Sequence, residues 1–172
     1  MQPRLHLVDV SAGMVNAWRA AFAAYPEVRI VEGSIVEVAR GAVVSPANSY
    51  GEMGGGVDLV YRNHFGREIE RRVQAKIQQT FGNYLPIGEA VLVETGSTVI
   101  PHLVTAPTMF LPEPTTDDNV YLAMTAVLKL ARSRADLLES IFCPGMGTGV
   151  GRLPFAASAS AMARAYAHHV AA

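Results

Sequence analysis

Two glycine-rich segments hold the residues best suited to chemistry. The first, SPANSYGEMGGGVD over residues 45–58, contains Asn48, Gly51, Gly54, Gly55, Gly56 and Asp58. The second, PGMGTGVGRLP over residues 144–154, contains Gly145, Gly147, Thr148, Gly149, Val150, Gly151 and Arg152. Each follows a short apolar run and precedes a helical pattern. Glycines let backbone N–H groups approach an anion closely, and the following helix adds its positive end. Two such loops facing each other could clamp a diphosphate without Lys or Arg. Glycines also mark tight turns, and for either loop alone that plainer reading stands.

The side chains within the loops have two readings each. Asn48 can contact a ligand, or it can stabilise the turn after Pro46 through its own amide. Asp58 can cap the helix expected to begin there, a role that does not exclude chemistry. Arg152 can reach a phosphate or a substrate carboxylate, or it can face solvent from the loop. Neither loop ends in the Gly-Lys-Ser/Thr of a Walker loop, and residues 147–152 lack the GxGxxG spacing of a dinucleotide fingerprint. Cys143, before Pro144, has no partner that would make it a nucleophile and reads as a small buried residue. His6, His64, His102, His168 and His169 show no metal-ligand spacing, so no metal and no cofactor is expected.

The elements that must position these loops alternate along the chain. Leu5–Val10 reads as a strand, and Ser11 caps a helix with Val15, Trp18, Phe22 and Tyr25 on one face, which Pro26 should end. Val28–Val31 is a second strand, and Gly33 and Ser34 open a turn leading through Ile35–Ala39. Ala42–Ser45, between Gly41 and Pro46, suits a strand buried on both faces. A helix is expected over Asp58–Phe65, closed by Gly66, followed by a longer one with Ile69, Val73 and Ile77 as its apolar stripe. Gly88–Glu94 and Val99–Ala106 are strands joined by a turn at Gly96, with Pro101 marking an edge or a strand start. Pro107–Thr116 is a loop. Thr116 or Asp117 caps a helix whose inner face carries Val120, Met124, Val127, Leu128 and Ala131. Leu137–Cys143 is the last strand, and Pro154 opens the final helix. The alternation predicts an α/β fold with helices on both faces of a mixed, mostly parallel sheet.

Composition limits the partners. Half of the 172 residues are hydrophobic and 17% are charged, the balance of a globular chain with a sizeable core. One cysteine excludes an internal disulfide framework. Lys plus Arg number 14 against 15 Asp plus Glu, so no basic stripe is set up for a nucleic-acid polymer. The densest basic stretch, Arg67–Lys76, is interleaved with Glu68 and Glu70 and reads as a solvated helix face. No run approaches the roughly 18 apolar residues of a membrane span, and the first residues lack a signal-peptide pattern. A cytoplasmic protein with no membrane partner is the expectation.

Over nearly the whole chain the pattern resembles the macro domain family. Residues 43–58, VVSPANSYGEMGGGVD, are similar to the family's first ligand loop, where an Asn after the strand precedes a Gly-Gly-Gly-Val run. Asn48 and Asp58 stand ten apart, as in the subgroup that removes ADP-ribose from proteins. Residues 141–154, IFCPGMGTGVGRLP, are similar to the second loop, and Val99–Pro107 resembles the penultimate strand. The resemblance implies one three-layer α/β/α domain over residues 1–172 with about six strands, and ADP-ribose or an ADP-ribosylated substrate as partner. Asn48 would bond the distal ribose and Asp58 would orient or activate the attacking water. Ala47, Gly54, Gly55, Gly56 and Val57, with Gly147, Thr148, Gly149, Val150, Gly151 and Arg152, would cradle the diphosphate and distal ribose. Ser34 and Ile35 would lie by the adenine. Two positions depart from the family pattern. Ser34 stands where an Asp commonly accepts from the adenine amino group, and Gly151 stands about where hydrolytic relatives pack an aromatic ring on the ribose.

Three functions compete on this reading. One is a hydrolase releasing ADP-ribose from a protein or a small acylated derivative. The second is a module that binds ADP-ribose without turnover, and the third a phage-derived structural protein with an empty site. Asn48 and Asp58 favour the first, and Ser34 and Gly151 favour the others.

Overall fold

A computed structural model describes residues 2–172. Six strands, β1 (Arg4–Asp9), β2 (Arg29–Glu32), β3 (Ala42–Ser45), β4 (Val91–Glu94), β5 (His102–Thr105) and β6 (Ser140–Cys143), form one sheet in the order β2-β1-β6-β3-β5-β4. All neighbours run parallel except the edge strand β4, which pairs antiparallel with β5. Strand alternation then feeds two cores. Leu5 and Leu7, Ala42 and Val44, and Ile141 and Cys143 point to one face, while Val8, Val43 and Phe142 point to the other. Helices α1 (Ala12–Ala21), α5 (Asp117–Ser133) and α6 (Phe155–Ala171) cover the first face with Trp18, Met124, Val127 and Met162. Helices α2 (Ile35–Val38), α3 (Gly56–Phe65) and α4 (Glu68–Phe81) cover the second with Ile35, Tyr61, Ile69, Val73 and Ile77. This is the three-layer, mostly parallel arrangement expected from the sequence.

The caps explain most boundaries. Ser11 accepts from Met14 N at 3.4 Å, and Thr116 accepts from Asn119 N at 3.3 Å. Gly66 closes α3 at φ +95°, a conformation side chains avoid. Other boundaries fall short of expectation because local turns consume the backbone. Leu137 N and Leu138 N both donate to Arg134 O at 2.9 Å, so β6 starts only at Ser140. Ser97 Oγ accepts from Val99 N and Ile100 N, which delays β5 to His102. Pro101 therefore marks a strand start, in a strand with neighbours on both sides. Glu89 N donates to Pro86 O at 3.1 Å, and β4 begins at Val91. Helix α1 ends at Ala21, with Phe22 N bonded to Trp18 O, well before Pro26. Pro154 is the N-cap of α6, one place earlier than a first-turn proline.

The topology also makes a crevice. β6 and β3 are parallel neighbours, Val43 opposite Phe142, and both glycine-rich loops leave from their carboxyl ends. The helix after β3 packs on one face and the helix after β6 on the other. At such a switch point the loops diverge and leave a gap above the strand ends.

Candidate functional site

The gap is a cleft of about 730 Å³. Its walls include Ala47, Asn48, Gly54, Gly55, Gly56, Val57 and Asp58 from the first loop, and Gly147, Thr148, Gly149, Val150 and Gly151 from the second. Ser34 and Ile35 line it as well. The loops meet where Val150 faces Gly55: a β-carbon on Gly55 would lie 3.3 Å from Val150 Cγ2. Of the residues the resemblance assigns to the ligand, Arg152 alone does not line the cleft. It is exposed, is absent from the cleft lining, and takes φ +55°. Its N–H donates to Gly149 O at 3.1 Å, closing a tight turn.

Asp58 is 7% exposed and lies in the first turn of α3. The helix begins earlier than expected, with Gly55 as N-cap, so Asp58 is not the cap. Its Oδ1 accepts a hydrogen bond from the Ser45 hydroxyl at the end of β3. Burial disfavours the carboxylate and pushes its pKa up to about 7, against the opposing effect of the Ser45 bond. Asn48 is also buried. Its Oδ1 accepts from Tyr50 N at 3.0 Å and Glu52 N at 3.3 Å, and its Nδ2 donates to Glu52 Oε2 at 3.3 Å. The turn-stabilising role of this side chain is thus present, and the residue still faces the cleft.

Four carboxylates line the cleft, Asp9, Glu52, Asp58 and Glu70, and no Lys, Arg or His does. Glu70 accepts from Met53 N at 2.6 Å and pairs with Arg62 at 3.7 Å. An anion here would be held by backbone N–H groups, of which the first turn of α3 has several without intrahelical acceptors. Cys143 is buried and burial pushes its thiol well up, away from a nucleophile's range. Among the described residues no cluster of His, Cys, Asp or Glu could hold a metal ion, and no helix is long and apolar enough to cross a membrane.

The departure at Gly151 has a steric cause. A β-carbon there would lie 2.6 Å from Gly147 O and 2.7 Å from Thr115 Cγ2, so this loop has no room for an aromatic ring. Sequence reading passed over Asp9, Ser45, Glu52 and Glu70. Ser45 carried a signal, being the one polar residue of a strand buried on both faces. Asp9 carried a weaker one, as a charge following the apolar pair Leu7-Val8 at the end of β1.

Against known proteins, the model of the macro domain matches residues 44–162. The chain belongs to the macro domain family. This macro domain is 40% identical over 137 residues to an uncharacterized protein of Aquifex aeolicus, covering 79% of this chain and 78% of that one. Its fold is similar to the macrodomain of Mycobacterium tuberculosis DarG, with a TM-score of 0.69 at 20% identity over 80% of this chain and 88% of the other. It is similar as well to Thermosipho africanus DarTG in complex with ADP-ribose, with a TM-score of 0.66 at 16% identity over 80% of this chain and 38% of that chain.

Proposed function

We propose that this macro domain binds ADP-ribose in the cleft between its glycine-rich loops and hydrolyses an ADP-ribosyl linkage there. The observation that carries the hydrolytic part is Asp58: a buried carboxyl at the cleft wall with a pKa near 7. A group titrating near neutral pH can take a proton in the transition state and give it up again, which suits a general base. A diphosphate would lie over the N-terminus of α3 and the second loop. The distal ribose would then sit by Asn48 and Asp58. Asp58 takes a proton from water as the water oxygen bonds to the anomeric carbon or ester carbonyl. The bond to the target breaks, and the departing group ends with the proton.

Gly151 favours a second reading, a binder without turnover. No side chain at 151 can press on the ribose, so its orientation rests on backbone and Asn48. Calorimetric titration with ADP-ribose, followed by turnover of ester-linked, glycosidic and acylated ADP-ribose, separates the readings. Binding with turnover that falls at least about a hundredfold in Asp58→Ala supports the hydrolase, since positioned proton transfer is worth roughly 10² to 10⁴. Affinity should hold or improve in that variant, because a negative neighbour of the diphosphate is gone. Binding without turnover selects the module, and no binding removes both.

A further inference from the structure

The two ends of the cleft differ. Asp58 and Asn48 belong to the β3 end, whereas Val8, Asp9, Val10, Gly33, Ser34 and Ile35 line it where β1 and β2 stop. β1 and β2 lie two and three strands from β3 in the sheet, roughly 10 to 15 Å away at ordinary strand spacing. This far end is largely apolar. Val10 lies 75% exposed at its edge, an apolar side chain with no protein partner over most of its surface. An apolar side chain left open beside the cleft suits a heterocyclic ring. Only two side chains there can hydrogen-bond a ring's edge, Ser34 and Asp9.

Asp9 is fixed in place by the backbone. Its Oδ1 accepts from Ser11 N at 2.9 Å and its Oδ2 from Gly145 N at 3.0 Å, so it ties the end of β1 to both α1 and the second loop. Gly33 N donates to Asp9 O at 2.9 Å, which sets the Ser34 turn directly beside it. A carboxylate oxygen accepts two hydrogen bonds, so each oxygen retains capacity for one more. Ser34, the N-cap of α2, makes no side-chain capping bond and supplies only a neutral hydroxyl.

We infer that Asp9 reads the base: its carboxylate accepts a hydrogen bond from an exocyclic amino group and selects adenine over an oxo-purine. The acceptor that Ser34 cannot supply with charge comes from the neighbouring strand. An oxo-purine would turn a carbonyl oxygen toward the carboxylate, leaving two acceptors face to face, and polar mismatches of this kind discriminate strongly. The inference rests on ADP-ribose binding, and its test separates the two.

Affinities for ADP-ribose and inosine-diphosphate-ribose are measured by calorimetry on the full chain. Wild type should prefer ADP-ribose by about tenfold or more, a typical margin for a charge-assisted hydrogen bond. Asp9→Asn presents an N–H as well as an oxygen and should bring the two ligands within about threefold. Loosening of the second loop in Asp9→Asn weakens both ligands alike, so the ratio reports base reading and not the pin on Gly145. Wild-type binding of ADP-ribose with no preference, or a preference that survives in Asp9→Asn, overturns the role of Asp9 and leaves the ligand assignment intact. Binding of neither nucleotide by wild type overturns both.

Discussion

The Ser45 hydroxyl donates a hydrogen bond to the Asp58 carboxylate, joining the last residue of β3 to the first turn of α3 across a thirteen-residue separation. Burial raises the Asp58 pKa to about 7 and this bond holds it from rising further. A general base works only when ionised, so turnover should climb with pH and level off above about 7. Ser45→Ala should move that limb to higher pH. A profile of kcat/KM between pH 5.5 and 8.5 checks both, and a flat profile in wild type removes Asp58 from the role.

The same shift makes a stability statement with a definite sign. Between pH 4 and 7 the unfolded chain ionises Asp58 while the folded chain keeps the proton. The folded state then binds more protons, and stability falls as pH rises through that window. The contribution is full below the unfolded value of 3.8 and is lost as pH passes about 7. At about 1.4 kcal/mol per pKa unit, the change is at most about 4 kcal/mol. Asp58→Asn keeps an acceptor for Ser45 and removes the titration. It should be more stable than wild type at pH 8 and nearly equal at pH 4 in urea unfolding; the reverse order would mean that the folded site favours the charged form.

Thr105, opposite Ser45 in the β3–β5 register, has a buried hydroxyl without a hydrogen-bond partner. Ser45 is already committed to Asp58, so the pair does not satisfy itself. Thr105→Val removes the orphan group at nearly constant shape and should stabilise the protein by about 1 kcal/mol. The unfolding midpoint in denaturant measures it. A loss of similar size would show that the hydroxyl is bonded in solution.

What could be read in advance was what local pattern dictates. Ala42–Ser45 was legible to the residue because an apolar run between Gly41 and Pro46 has few alternatives, and the two loops stood out by their glycines. Strand ends were not, since the turns at Ser97 and Arg134 spend backbone hydrogen bonds that no periodicity reveals. Asp9 acts through Gly145, a neighbour that only the β1-β6 pairing supplies, and Ser45 acts through Asp58, which the fold of the intervening loop returns to the end of β3. Gly151 looked like a missing ring, but the cause, its contact with Gly147 O, is a matter of backbone geometry. Arg152 read equally as a ligand contact or a solvent-facing loop residue, and its positive φ lies outside any sequence pattern.

Arg152 is the one non-glycine with positive φ among the described residues. A left-handed conformation costs a side-chain-bearing residue about 1 to 2 kcal/mol, while glycine's extra freedom in the unfolded chain returns part of that. Arg152→Gly should stabilise the protein by roughly 0.5 to 1 kcal/mol on these figures. Because the side chain is off the cleft, ADP-ribose affinity should stay within about twofold. Thermal unfolding and titration on the same variant check both halves, and a clear loss of affinity would return Arg152 to the ligand.

Asn48 has two jobs to separate, and its hydrogen bonds show how. Its oxygen accepts from Tyr50 N and Glu52 N, which shapes the first loop, and its Nδ2 donates to Glu52 Oε2. Asn48→Ala removes the acceptor and leaves two backbone donors short of a partner, so it should cost about 1 to 2 kcal/mol of stability as well as ligand affinity. Asn48→Asp keeps an oxygen acceptor for the loop and loses the donor. The new carboxylate is buried and faces Glu52, so both desolvation and like charge oppose it. Stability should therefore fall in both variants, through lost acceptors in Asn48→Ala and through the buried charge in Asn48→Asp. If Asn48 also holds the distal ribose through Nδ2, ADP-ribose affinity should fall in Asn48→Asp by tenfold or more, the worth of a lost donor plus a charge facing the diphosphate. Unfolding and calorimetry on the two variants give four numbers. Asn48→Asp with wild-type affinity would confine this residue to the turn and leave the ribose to the backbone and Asp58.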